Sequence, residues 1–113
     1  MEALLEQFRN SPHAPPVVKD CQTALGNDLY RALLENEILI EVSAEVVFDP
    51  QAYAAMLTFV KEEGANPDGL TVAQFRDHFN TSRRYALAFL EYLDASGVTL
   101  RQGDVRKIKK ANR

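Results

Sequence analysis

Apolar positions recur at helical spacing through the first third of the chain, give way to a β-rich stretch, and then repeat that order. Leu4, Leu5 and Phe8 share one face of Ala3 to Arg9, which predicts a short helix. Pro12 breaks it, and Pro15 and Pro16 impose an extended lead into a second helix over Val17 to Ala24, Pro16 being favourable near a first helical position. Gly26 and Asn27 turn the chain. Leu29, Ala32 and Leu33, at i, i+3 and i+4, then predict a third helix from Asp28 to Asn36. The segment EILIEVSAEVVFD is rich in β-branched residues, and reads as strands over Ile38 to Val42 and Glu45 to Phe48 around a Ser43-Ala44 turn.

After Asp49-Pro50 the order begins again. Tyr53, Met56, Leu57 and Val60 line one face of a helix from Gln51 to Glu63, and Gly64 to Gly69 reads as a loop. Thr71 is placed to cap a helix running to Phe79, with Val72, Phe75 and Phe79 on one side. A third helix, Ser82 to Ala95, carries the stripe Ala86, Phe89, Leu90 and Leu93, and Gly97 is suited to end it. Val98 to Arg101 and Val105 to Ile108 form a hairpin around Gln102-Gly103-Asp104, followed by a basic tail with Lys109, Lys110 and Arg113. Three helices and a hairpin, twice, is the order of a winged helix. The predicted fold is α+β, mainly helical. It consists of two tandem winged-helix domains, residues 1–50 and 51–113, each a three-helix helix-turn-helix core with a β-hairpin wing. Domains this small bury little surface alone, so they are expected to share an interface or to be joined through the Gln51 helix, and no Gly/Ser linker separates them.

Charge distinguishes the two copies. The net charge of the 113 residues is −3, but residues 1–53 hold three basic side chains against nine acidic, while residues 54–113 hold ten against seven. A polyanionic partner is therefore expected at the carboxyl-terminal half. With 46% hydrophobic and 26% charged residues the chain is of globular type. No apolar run approaches the roughly 18 residues of a membrane span, and MEALLEQF lacks a signal-peptide pattern, so a cytoplasmic location is expected. Cys21 is alone and reads as a small buried residue, and with only His13 and His78 besides it there is no metal-ligand cluster. No phosphate-cradling loop or nucleophile with its base occurs, so no catalytic residue, metal, cofactor or small-molecule substrate is assigned. His78 reads as a solvated helix-end residue, with a phosphate contact as the second reading.

The third helix of the second copy opens Thr81-Ser82-Arg83-Arg84-Tyr85. Basic side chains in a first turn oppose the helix dipole, by about 0.3 to 1 kcal/mol each at exposed positions. The residues four further on are Leu87 and Ala88, so no carboxylate within the helix compensates. The same arrangement suits an anion. Free backbone N–H groups, two hydroxyls and two guanidinium groups converge at one helix end. Arg101, Arg106 and Lys107 flank the hairpin turn, and the helix start and wing are the surfaces that a winged helix offers to nucleic acid. The first copy has Asp28 at the corresponding helix start and Glu37, Glu41 and Glu45 about its hairpin, which suits a spacer or protein-docking module rather than a phosphate surface.

The segment VAQFRDHFNTSRRYALAFLEYLDASGVTLRQGDVRKI, with its FRD, TSR-basic-YA, LEYLD and R-x-G-D-x-R, resembles the final winged-helix domain of the bacterial selenocysteine-specific elongation factor family, SelB. The first half, with its Pro-Pro lead and ILIEVSAEVVFD ending, looks like the preceding winged-helix domain of that family. Asn80 stands where the family often has glycine, which asparagine can replace in a left-handed turn, and the EEGANPDG loop is longer than usual. The resemblance implies binding to the selenoprotein mRNA hairpin that follows a UGA codon, which tethers the factor for recoding. It also implies the ribosome as a further contact; the chain itself is expected to be a monomer. GTP would concern amino-terminal domains of the family that lie outside this sequence. By the matching motif Arg76, Thr81, Ser82, Arg83, Arg84, Tyr85, Arg101 and Arg106 would face the hairpin, to which the wing charge adds Lys107.

Without the resemblance, a DNA-binding winged-helix regulator would come first, and a protein-interaction winged helix is the other alternative. DNA regulators place base-reading polar residues along the recognition helix. Here the helix continues as YALAFLEYLD, too apolar to lie along a groove, which favours end-on contact with a compact RNA feature.

Overall fold

The computed structural model describes residues 1–109; Lys110 and Arg113 of the expected basic tail lie outside them. In chain order the elements are α1 (Glu2–Asn10), α2 (Val18–Leu25), α3 (Asn27–Glu35), β1 (Ile40–Glu41), β2 (Val47–Phe48), α4 (Pro50–Gly64), β3 (Leu70–Thr71), α5 (Val72–Phe79), α6 (Arg83–Ala95), β4 (Thr99–Gln102) and β5 (Val105–Ile108). The chain forms two compact units, Met1–Ala54 and Ala55–Arg113, with the division inside α4.

In the first unit, Leu4 and Phe8 of α1, Val18 and Cys21 of α2, and Tyr30 and Leu33 of α3 build one buried cluster with Leu39 and Val47. Each such large apolar side chain contributes about 1.5 to 3 kcal/mol on leaving water. Gly26, at φ +83, ends α2 and starts α3 without an intervening loop. At the far end of α3, Glu37 takes a left-handed conformation, φ +58, and the Ile38 amide donates back to the Leu33 carbonyl at 2.9 Å. The hairpin is shorter than the sequence predicts. Only Ile40↔Phe48 and Glu41↔Val47 pair, because the Ser43 hydroxyl accepts from the amides of Glu45 and Val46, at 3.2 and 3.0 Å, and turns the chain early. Tyr30, 3% exposed, donates its hydroxyl to Glu41 at 2.7 Å and ties α3 to the hairpin. Burial, then that bond to a carboxylate, push the Tyr30 phenol well above its ordinary value.

The second unit contains a strand where the sequence predicts only a loop and a cap. Leu70 and Thr71 pair antiparallel with Arg106 and Val105, giving a three-stranded sheet in the order β3-β5-β4. Gly69 makes this possible at φ +70, since a Cβ there would lie 2.5 Å from Val105 Cγ1 and 2.8 Å from the Arg106 carbonyl oxygen. Thr71 both ends β3 and caps α5. Its hydroxyl accepts from the Gln74 amide at 3.1 Å, and the Gln74 side chain accepts from the Thr71 amide at 2.9 Å.

The core is aromatic. Phe75 stacks with Phe89 at 5.6 Å between ring centroids and meets Phe59 edge-on at 6.2 Å, beside buried Leu90 and Leu93. Asn80 ends α5 with φ 51 and ψ 46, the left-handed geometry its substitution for glycine requires, and the Thr81 amide donates to the Arg76 carbonyl at 3.0 Å. Gly97, at φ +79, ends α6, with the Val98 amide donating to the Leu93 carbonyl at 3.0 Å.

Candidate nucleic-acid interface

The turn between α5 and α6 decides what the amino end of α6 can present. Because Asn80 reverses the chain within one residue, Thr81 is half-buried and Ser82 becomes the N-cap. Its hydroxyl accepts from the Tyr85 amide at 3.5 Å, at the outer limit of a hydrogen bond. Arg83 and Arg84 are the first two residues of the helix and both are exposed. Among the described residues no carboxylate forms an ion pair with Arg83. Tyr85, the next residue, is half-buried. Arg76, on α5, has a side chain 38% exposed and its Nη2 lies 3.0 Å from Asp77 Oδ1, so it is partly neutralised by its neighbour.

The wing divides its cations between two environments. In the β4–β5 register Arg101 opposes Arg106 and Leu100 opposes Lys107, which puts Thr99, Arg101, Arg106 and Ile108 on one side of the hairpin. Near the turn that side is open: Arg101 is exposed and its Nε donates to the Gly103 carbonyl at 2.8 Å. Deeper in, the same side turns onto α6. Arg106 has no accessible surface, and its Nε and Nη2 donate to Asp94 Oδ2 at 3.2 and 3.1 Å. The Thr99 hydroxyl donates to Asp94 Oδ1 at 2.6 Å. Arg106 therefore cannot face RNA as the sequence motif implies, because its guanidinium is enclosed and committed to Asp94. Lys107, on the other side of β5, is half-buried.

Asp94 was not singled out from sequence, although it sits in the last turn of α6, where the dipole disfavours a carboxylate and a cation partner is expected. His78 stands exposed in the last turn of α5, as the sequence leads one to expect, with one added contact. It stacks on Phe59, 3.9 Å between ring centroids and 16° from parallel, while Asp77 is engaged by Arg76. Among the described residues no group of three or more His, Cys, Asp or Glu is arranged to hold a metal ion, and no helix is long and apolar enough to cross a membrane.

Residues 64–108 match the family model described as elongation factor SelB, winged helix. The selenocysteine-specific elongation factor of Desulfomicrobium baculatum is 33% identical over 82 residues, 73% of this chain and 13% of that protein. The chain thus spans a small part of the relative's length. Among solved structures, the mRNA-binding domain of elongation factor SelB from E. coli, in complex with SECIS RNA, superposes with a TM-score of 0.72 and 19% identity over 96% of this chain and 98% of that one. A bacterial selenocysteine-specific elongation factor, EF-Sec, gives a TM-score of 0.74 and 16% identity over 97% of this chain and 19% of that one. Helix α6, its arginine-bearing start and the wing lie within the matched segment, and the chain carries in residues 64–108 a winged-helix domain of the elongation factor SelB family.

Proposed function

We propose that the second unit binds the hairpin in selenoprotein mRNA that follows a UGA codon, and so tethers a selenocysteine-specific elongation factor for recoding in translation. The observation that carries this reading is the exposed Arg83-Arg84 pair at the amino end of α6, directly after the exposed N-cap Ser82. Guanidinium groups and helix-end amides are complementary to phosphate oxygens, and a helix approached end-on suits a compact loop better than an A-form major groove. The E. coli relative with the same fold is a SelB mRNA-binding domain seen with SECIS RNA, which supports the choice of RNA over DNA.

In this reading Arg83, Arg84 and Arg101 contact the RNA backbone, Lys107 adds charge beside them, and Arg76 is a weaker contributor because of Asp77. Thr81 and Ser82 shape the approach, and Tyr85 offers a ring edge to an unstacked base. The chain acts as a monomer in the cytoplasm without cofactor or catalysis of its own. GTP handling belongs to other domains of the full-length factor, and the acidic first unit serves as a spacer or docks a protein, the ribosome being one candidate.

The test compares three ligands at two salt concentrations: the UGA-proximal hairpin of a selenoprotein mRNA from the organism that encodes the chain, the same hairpin with its loop replaced, and duplex DNA. Preference for the unaltered hairpin that survives the higher salt is expected. Equal affinity for all three would leave a generic polyanion surface in place of a hairpin reader.

A further inference from the structure

Helix α6 is charged against its dipole at both ends. Arg83 and Arg84 stand at the amino end, and Asp94 stands in the last turn, which contains no basic residue. The carboxylate of Asp94 is held from both wing strands at once. Arg106 of β5 sets Nε and Nη2 on Oδ2, while Thr99 of β4 donates to Oδ1. Arg106 is fully enclosed, and its Nη1 is buried without a hydrogen-bond partner. An unmatched buried nitrogen is a cost that an apolar side chain of similar length would not carry, and buried ion pairs can often be replaced by apolar residues without loss of stability. Stability alone therefore accounts poorly for this arginine. What the fork and the hydroxyl supply is a fixed geometry, since a planar guanidinium on a carboxylate allows little rotation.

That geometry connects the two parts of the candidate interface. Asp94 is eleven residues beyond Arg83 on one rigid helix, about 16 Å along the axis. Arg106 is the cross-strand partner of Arg101 and the neighbour of Lys107. Resting on the hairpin-binding reading above, we propose that Asp94, Arg106 and Thr99 are positioning residues for RNA recognition. They touch no RNA, but fix where the wing cations Arg101 and Lys107 stand relative to the arginines at the start of α6.

The test is a mutant cycle on the full 113-residue chain. The double substitution Asp94→Leu with Arg106→Met removes the pair while keeping volume, and is expected to fold, with a melting temperature near or above that of the parent. It should bind the unaltered hairpin about 10-fold more weakly and discriminate less against the altered loop; Arg101→Ala, about 10-fold in the parent, should cost under about 2-fold in the double variant. Parent-like affinity, or an undiminished Arg101→Ala effect, overturns the proposal. Should the double variant fail to fold, Thr99→Val, which removes only one hold on Asp94, replaces it in the cycle. Weaker binding by about 2- to 3-fold with a reduced Arg101→Ala effect supports positioning, and unchanged binding overturns it. If the parent itself does not prefer the unaltered hairpin, the hairpin-binding reading fails and the positioning role fails with it, an outcome distinct from a discriminating parent with an indifferent double variant.

Discussion

Arg101 and Arg106 are direct cross-strand partners on the wing, yet one is exposed and the other has no accessible surface. Truncating them should therefore give opposite signatures. Arg101→Ala leaves unfolding by urea unchanged and weakens hairpin binding. Arg106→Ala strands the Asp94 carboxylate, whose side chain is 20% exposed, and should lower stability by about 3 kcal/mol, toward the low end for a broken buried pair. An Arg106→Ala protein as stable as the parent would show that the pair is not holding the wing to α6.

Arg83→Ala should trade affinity for stability. Losing a specific guanidinium–phosphate contact weakens hairpin binding by about 1 to 3 kcal/mol. Removing a cation from the amino end of α6 relieves about 0.3 to 1 kcal/mol of unfavourable dipole interaction. Parallel calorimetry and thermal melts should find the two changes with opposite sign, and a variant that loses both would point to a structural role for Arg83.

Gly69→Ala tests the third strand of the wing. The added methyl would meet Val105 Cγ1 at 2.5 Å and the Arg106 carbonyl oxygen at 2.8 Å, on a backbone at φ +70. Val105 could turn its side chain aside, but the carbonyl clash cannot be relieved without moving β5, so a loss of about 2 to 4 kcal/mol is expected in denaturant unfolding of the second unit. Hydrogen exchange should show the Val105 and Arg106 amides deprotected together.

The two units follow their third helices with a left-handed residue at the corresponding position, but only the second uses glycine there. Glu37 has φ +58 where Gly97 has φ +79. Left-handed backbone costs a non-glycine residue about 1 to 2 kcal/mol, part of which is offset by the greater freedom of glycine in the unfolded chain. Glu37→Gly should therefore raise the stability of the first unit by up to about 1 kcal/mol, measured by thermal or urea unfolding.

Cys21 should be a pH-sensitive but chemically quiet residue. Burial chiefly, with the charge of Asp20 adding, pushes its thiol up from 9.0 to about 11. The folded state thus retains its proton through a range in which the unfolded chain loses it. The associated stability is fully present below pH 9 and is lost as pH rises through about 11. At pH 8 a thiol reagent should label the native protein far more slowly than the urea-unfolded chain, and equal rates would show that the thiol is accessible.

The helices were legible because their signals are local. Apolar spacing, the Thr71 cap and the left-handed Asn80 each act within a few residues, and the helices of the described residues begin and end within one residue of their expected bounds. The exposure of Arg84 follows from the apolar stripe on the opposite side of α6, whereas Arg83, three and seven residues before buried Ala86 and Leu90, is exposed because it stands in the first turn. Strand β3 was not legible, since Leu70 and Thr71 show no periodicity and their partners lie some thirty-five residues further on. Arg106 was misread for a related reason. Alternation in a four-residue strand identifies which residues share a side, but only packing against α6 decides that the side closes at Arg106 and stays open at Arg101.

The enclosure of Arg106 also bears on how the complex should respond to ionic strength. A cation already matched by Asp94 within the fold has no condensed counterion to displace from RNA when the chain binds. The salt dependence of association should therefore be shallower by roughly one unit in log–log slope than a tally of every arginine and lysine around the wing would suggest.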